Sequence, residues 1–195
     1  MSRAPRMLAL GAIVVVGGVV GGCASSPPTQ FYTLEPVPPP QRIPSRPRSP
    51  LRVAAVHIPP LLDRDQIVRE RAPGELEVSE VHRWGAPLSG MLRDVLTQDL
   101  ALRLPAGSVL LPQQPAPALA ASITVDVLSL EARGDHISFE GAWSLVPANS
   151  EVPSLNRTVH LREPANAQDY AAQVHAMSVA LGHLADAMAG ALSQP

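Results

Sequence analysis

The sequence predicts an α+β domain: a single β-sheet, mostly antiparallel or mixed, with two main helices packed on one face. Three observations carry that reading. Strand-like segments come in two groups, each followed by an apolar stripe at helical spacing, so the order is strands, helix, strands, helix. Ala72-Pro73-Gly74 and Gly134-Asp135 are turn signals between segments that alternate, which implies hairpins and antiparallel pairing. No internal repeat divides the chain.

The elements follow in order. Phe31-Tyr32-Thr33-Leu34 combines aromatic and β-branched residues and reads as a strand. The segment 36–50 is crowded with proline, which fixes φ and lacks a donor, so it is an extended loop. Whether it serves as tether or as intradomain loop stays open here. Leu51 to Ile58 is apolar on both alternating faces, as in a buried strand, and Pro59-Pro60 stops it. Gln66–Arg71 and Glu75–Val81 form the arms of a hairpin. Pro87 opens a helix whose stripe is Leu88, Met91, Leu92, Val95, Leu96 and Leu100. Pro105-Ala106-Gly107 ends it, and Ser108–Leu111 reads as a short strand.

Ile123, Val125 and Val127 then alternate with Thr124 and Asp126. Leu128 and Leu130 switch parity, which places a bulge near Leu128. The return strand sets Ile137, Phe139, Trp143 and Leu145 on one face and Ser138, Glu140 and Ser144 on the other. A further strand spans Leu155 to Leu161. The last helix runs from about Ala167 to Leu192, with Asn166 as expected N-cap. Its far side carries Ala172, Ala176, Ala180 and Ala187, small enough to meet the sheet, a second subunit of a homo-oligomer, or solvent.

The N-terminus has its own pattern. Arg3 and Arg6 precede an apolar run from Met7 to Val20, and small residues precede Cys23. That is the layout of a secretory signal. The run is shorter than the ~20 apolar residues that a membrane span requires. With cysteine placed directly after the small residues, it resembles a bacterial lipoprotein signal. Residues 1–22 would then be the signal peptide, 23–30 the lipidated N-terminus and short tether, and 31–195 the folded domain. Valine stands at position 20 where such signals usually have leucine.

Cys23 is the only cysteine, so the chain has no internal disulfide. All 15 basic residues are arginine. Losing Arg3 and Arg6 with the signal takes the formal net charge from −2 to −4. That balance, with 3% aromatic residues, argues against nucleic acid as a partner.

Catalytic and metal chemistry find little support. The six histidines include no pair at i, i+4 and no His-Glu-x-x-His. His183 and Asp186 read as a helix-surface pair. There is no nucleophile elbow, P-loop or dinucleotide fingerprint. No catalytic residue and no metal ligand is therefore assigned, and an envelope hydrolase is the weaker reading.

Two segments stand out: Leu61-Leu62-Asp63-Arg64-Asp65-Gln66-Ile67-Val68-Arg69 and Glu80-Val81-His82-Arg83-Trp84-Gly85-Ala86-Pro87-Leu88. With Phe31-Tyr32-Thr33-Leu34 and the signal, they resemble the ABC-type transport auxiliary lipoproteins, the PqiC-like family. Gly85-Ala86 departs from the alanine and acidic residue often found there, and segment 36–50 is unusually rich in proline. The resemblance implies a non-catalytic protein with no cofactor beyond N-acyl and S-diacylglycerol chains on Cys23. It implies an outer-membrane location facing the periplasm, since Ala24 rather than aspartate follows the lipidated residue. Its implied partners are the inner leaflet of that membrane, an MCE-domain protein and, indirectly, an inner-membrane ABC permease and ATPase that move phospholipid or other hydrophobic cargo. A periplasmic carrier that itself holds an acyl chain is the rival reading.

Within the two segments, Asp63, Arg64 and Gln66 sit between apolar strands, as a structural turn or as a partner-contact loop. Leu61 and Leu62, after Pro59-Pro60, are a candidate exposed apolar contact for a partner or a lipid. Arg83 and Trp84 are residue types favoured at interfaces, although a tryptophan before a helix commonly closes a core.

Overall fold

The computed structural model describes residues 27–44, 47–166 and 168–192. Cys23 and the expected signal segment lie outside the described residues.

The order is β1 (Gln30–Tyr32), β2 (Leu51–His57), β3 (Gln66–Ala72), β4 (Glu75–Trp84), α1 (Leu88–Arg103), β5 (Ala121–Arg133), β6 (His136–Val146), β7 (Leu155–Pro164) and α2 (Tyr170–Leu192). The strands form one mixed seven-stranded sheet in the order β1-β4-β3-β5-β6-β7, with β2 also paired to β5. The α+β arrangement read from the sequence is the one observed.

The hairpins β3–β4, β5–β6 and the pair β6–β7 are antiparallel. Three long-range pairings are parallel: β1 on β4, β2 on β5 and, at one register pair, β3 on β5. The first two carry the N-terminal strands onto the sheet. β5 takes β2 along its first half and meets β3 only at Glu70–Arg133, near its end. The Pro59–Asp65 turn connects these two neighbours.

The bulge falls where the parity switch places it. Val127 pairs with Gly141 and Ser129 with Glu140, leaving Leu128 unpaired and 64% exposed. That extra residue keeps Val127 and Leu130 both buried. The turns at Gly74 and Gly134 adopt φ of +77° and +57°, a region that glycine enters without a Cβ clash.

Both helices share one face of the sheet, with α1 over β2, α2 over β6 and β7, and the helices packed on each other. Leu100, Leu104, Ile123 and Ile137 are fully buried in the resulting core, each contributing about 1.5–3 kcal/mol by removal from water. Ala176 and Ala180 belong to this core, whereas Ala187 is exposed, so most of the alanine-rich side faces the protein's own interior.

Three expectations are corrected. Ser108–Leu111 is not a strand; Val109 makes a single bridge to Leu51. Asp169, not Asn166, caps α2, its Oδ1 accepting from the amides of Ala171 at 2.8 Å and Ala172 at 3.2 Å. Asn166 instead closes an Asx turn on the Gln168 amide. Finally, Asp186 does not pair with His183. It binds Arg103, while His183 reaches across to Glu163 of β7.

Segment 36–50 belongs to the domain. The Val37 amide donates to Asp99 Oδ1 at 2.8 Å, the Ile43 amide to the Arg103 carbonyl at 2.8 Å and the Glu35 amide to Ser178 Oγ at 3.2 Å. Prolines cannot donate to a neighbour, so non-proline residues anchor this strap: Val37 and Ile43 to α1, and Glu35 just before it to α2.

Candidate functional site

The two motif segments and the first strand converge at one edge of the sheet. Tyr32 pairs with Trp84 and Phe31 with Arg83 across β1 and β4, and Gln66 pairs with Arg83 across β3 and β4. The Trp84 amide donates to the Asp65 carbonyl at 2.7 Å, and the Gly85 amide to the Tyr32 carbonyl at 2.8 Å. Segments more than fifty residues apart thus share one backbone network.

Within it the side chains divide by burial. Leu62 and Trp84 lie in the core, at 5% and 6% exposure. Leu61, Gln66 and Arg83 are half-buried, and Asp63 and Arg64 are exposed. The turn is built by its own backbone: the Leu62 and Asp63 amides both donate to the Pro59 carbonyl, at 2.9 and 3.2 Å. It therefore needs neither the Asp63 nor the Arg64 side chain to hold its shape, and both project outward. Phe31, 68% exposed, flanks Arg83, whose Nε is buried without a hydrogen-bond partner. The exposed Phe31 ring beside the half-buried Arg83 pairs two residue types suited to protein contact.

Behind this edge lies a cluster that the sequence reading did not assemble. The His82 ring stacks on Tyr170 at 3.8 Å, and Tyr32 Oη lies 2.9 Å from His82 Nδ1. The Arg69 guanidinium sits 4.7 Å above the Tyr170 ring and pairs with Glu77 at 3.0 Å. Burial, with the nearby Asp169 charge and Tyr170, pushes the Tyr32 hydroxyl above its ordinary range, so it stays protonated. The cluster fixes β1 to β4 and to the start of α2.

A second cluster is more deeply buried. Arg103 is 1% exposed and Asp99 fully buried. Arg103 Nη1 donates to the Val37 carbonyl at 3.0 Å and to Asp99 Oδ1 at 3.2 Å; its Nε donates to Asp186 Oδ1 at 2.7 Å. Burial pushes the Asp99 carboxyl up to about 6, against the Val37 amide and Arg103, which favour its charged form. Asp99 Oδ2 has no partner. The sequence signal was available: Asp99 and Arg103 are one turn apart on the apolar side of α1. Their distant partners were not.

Among the described residues, no group of three or more His, Cys, Asp and Glu could hold a metal ion. No described helix is long and apolar enough to cross a membrane.

With this geometry in place, the comparison with known families is direct. The family model of the ABC-type transport auxiliary lipoprotein component matches residues 32–189. The chain belongs to that family. The match begins at Tyr32, the last residue of β1, and takes in the two motif segments, the strap, α1 and most of α2. A crystal structure of an uncharacterized protein superimposes with a TM-score of 0.71 at 20% identity, covering 86% of this chain and all of that one. A second, from Xanthomonas campestris, gives a TM-score of 0.62 at 20% identity, covering 84% of this chain and 95% of that one. At such identities the likeness concerns the fold. No curated protein matches the chain. A member of this family is a lipoprotein that is auxiliary to an ABC-type transport system.

Proposed function

We propose that this auxiliary lipoprotein is anchored by acyl chains on Cys23 to the periplasmic face of the outer membrane. There it docks an MCE-domain protein, and through it an inner-membrane ABC transporter that moves phospholipid or other hydrophobic cargo. It carries out no chemistry itself. The observation that supports this reading best is the convergence of Phe31, Asp63, Arg64 and Arg83 at one sheet edge, beside a strand that starts at Gln30. Gln30 is seven residue steps beyond Cys23, and an extended chain spans at most about 3.3–3.6 Å per residue. The tether is therefore about 25 Å at most, and the edge stays close to the membrane that anchors it.

The test is the mass and location of the mature protein. Acylated Cys23 at the N-terminus, in the outer-membrane fraction, is expected. Cys23→Ser should leave the domain folded, with the same thermal transition, but abolish support of the transport system in cells. An unacylated mature chain, or full support by the Cys23→Ser protein, overturns the reading.

A further inference from the structure

We infer that the groove at the C-terminal end of α2 is a binding site for an anionic amphiphile, a carboxylate or phosphate head on an apolar chain. The inference uses the groove alone and holds whether or not an MCE-domain protein is the partner.

The groove encloses about 510 Å³, within the 300–1,000 Å³ typical of small-molecule sites. Leu51 and Ala121, at 2% and 4% exposure, form its floor where β2 begins beside β5. Leu145, Leu155 and Leu192 stand along its walls, half-buried against the core. The exposed parts of Leu145, Leu155 and Leu192 are the apolar surface left to cover, and covering it is favourable by roughly 25 cal/mol per Å².

The polar groups are of one sign. Arg48 and Arg157 line the groove, and among the described residues no acidic one does. Elsewhere in this acidic chain several arginines are matched: Arg69 with Glu77, Arg103 with Asp99 and Asp186, Arg133 with Glu70. Among the described residues, Arg48 and Arg157 enter no ion pair. The contact that Arg157 makes is a long one, 3.4 Å to the neighbouring Asn156 carbonyl. Register places Arg157 opposite Trp143 and Leu155 opposite Leu145, so arginine and leucine share the helix-facing side of β7. An apolar trough with two unmatched guanidinium groups is complementary to a ligand that is apolar along its length and anionic at one end.

The polar cleft lined by Arg69, Glu70, Arg71 and Glu77 lacks this character, because its charges already neutralise one another.

The experiment uses the full-length lipoprotein in nanodiscs of neutral lipid. A lysophosphatidic acid bearing a diazirine in its chain is photolysed with it, beside the uncharged monoacylglycerol with the same chain. Adducts are mapped by peptide mass spectrometry. The anionic probe should label peptides containing Leu145 to Arg157 and Leu192, and the neutral probe should label them weakly. Arg48→Gln and Arg157→Gln should each lower the yield about tenfold, as expected for loss of one charged hydrogen bond. Arg157→Lys should retain part of it. Both arginines are exposed, so unchanged melting is expected and confirms folding. Leu155→Trp, which fills the trough, should abolish labelling with the charges intact. Equal labelling by both probes overturns the inference. So does competition by inorganic phosphate alone, which would mean a headgroup site without a chain. A yield that rises only after removal of residues 193–195 also overturns it, since the chain's own end then fills the groove.

Discussion

Arg103 holds Val37 against the helices: its Nη1 donates to the Val37 carbonyl at 3.0 Å, while the Val37 amide donates to the Asp99 carboxylate that Arg103 also binds. One residue of a proline-rich strap is therefore gripped from both of its backbone polar groups. Because the strap directly follows β1, this grip also fixes the part of the domain nearest the N-terminal tether.

Arg103→Met should cost about 3–5 kcal/mol, because it leaves Asp99 buried and uncompensated. Chemical denaturation measures the loss, and limited proteolysis should cut first within 35–44. Pairing Arg103→Met with Asp99→Leu should recover much of the loss, since two apolar groups replace a buried ion pair. A loss below about 1 kcal/mol would assign the grip to the prolines instead.

Two glycines of α2 should respond with opposite signs. A Cβ at Gly182 would lie 3.1 Å from Val37 Cβ and 3.2 Å from Arg103 Nη2, whereas at Gly190 it would meet open space. Alanine gains about 1 kcal/mol over glycine in a helix interior, but overpacking costs about 1–3 kcal/mol. Gly190→Ala should therefore stabilise by about 0.5–1 kcal/mol. Gly182→Ala should be destabilising by about 1 kcal/mol. Thermal melts of the two variants make the comparison.

Asp99 sets a pH dependence. Burial pushes its carboxyl up to about 6 in the folded protein, from 3.8 for a free aspartate. The folded state thus holds the proton more tightly, and between these values it binds more protons than the unfolded chain. Its contribution is fully present below about pH 4 and is lost as pH rises through about 6. Asp99→Asn should remove that slope. The difference in unfolding free energy between wild type and variant, followed from pH 4 to 7, should shift steadily against the wild type. A difference independent of pH contradicts the burial argument.

Much of this fold is legible in the sequence because local rules agree with the global arrangement. The parity switch at Leu128 locates the bulge, since buried residues must stay on one face. The leucine stripe of α1 and the glycine turns at 74 and 134 do the same for their elements. What the sequence hides is long-range. Arg103 looks like an ordinary helix-terminal cation until Val37 and Asp186 arrive from segments more than sixty residues away. The parallel pairing of Tyr32 with Trp84 joins strands that no turn connects. The Tyr32–His82–Tyr170 cluster has the same origin, and so does the groove, whose arginines come from the strap and from β7. Asp169 displaced Asn166 as cap because both are capping residues, and only the chain path decides which one flanks the first turn.

The sheet edge should separate stability from contact. Trp84→Ala should cost about 3–5 kcal/mol, as for loss of a large core side chain. Asp63→Ala and Arg64→Ala remove exposed groups that the turn does not use, so they should stay within about 0.5 kcal/mol of wild type. If the edge is a docking surface, these two silent changes should nonetheless weaken support of transport in cells, and circular dichroism melts should exclude misfolding as the reason.

The central claim is tested most directly by photocrosslinking in intact cells. Benzoylphenylalanine placed at position 64 of the acylated protein lies on the converging edge; placed at position 152, which is 70% exposed, it lies between β6 and β7 toward the other edge of the sheet. The account predicts capture of an MCE-domain protein from position 64 and little from position 152. Equal capture from both, or none from position 64 of a folded and acylated protein, contradicts it.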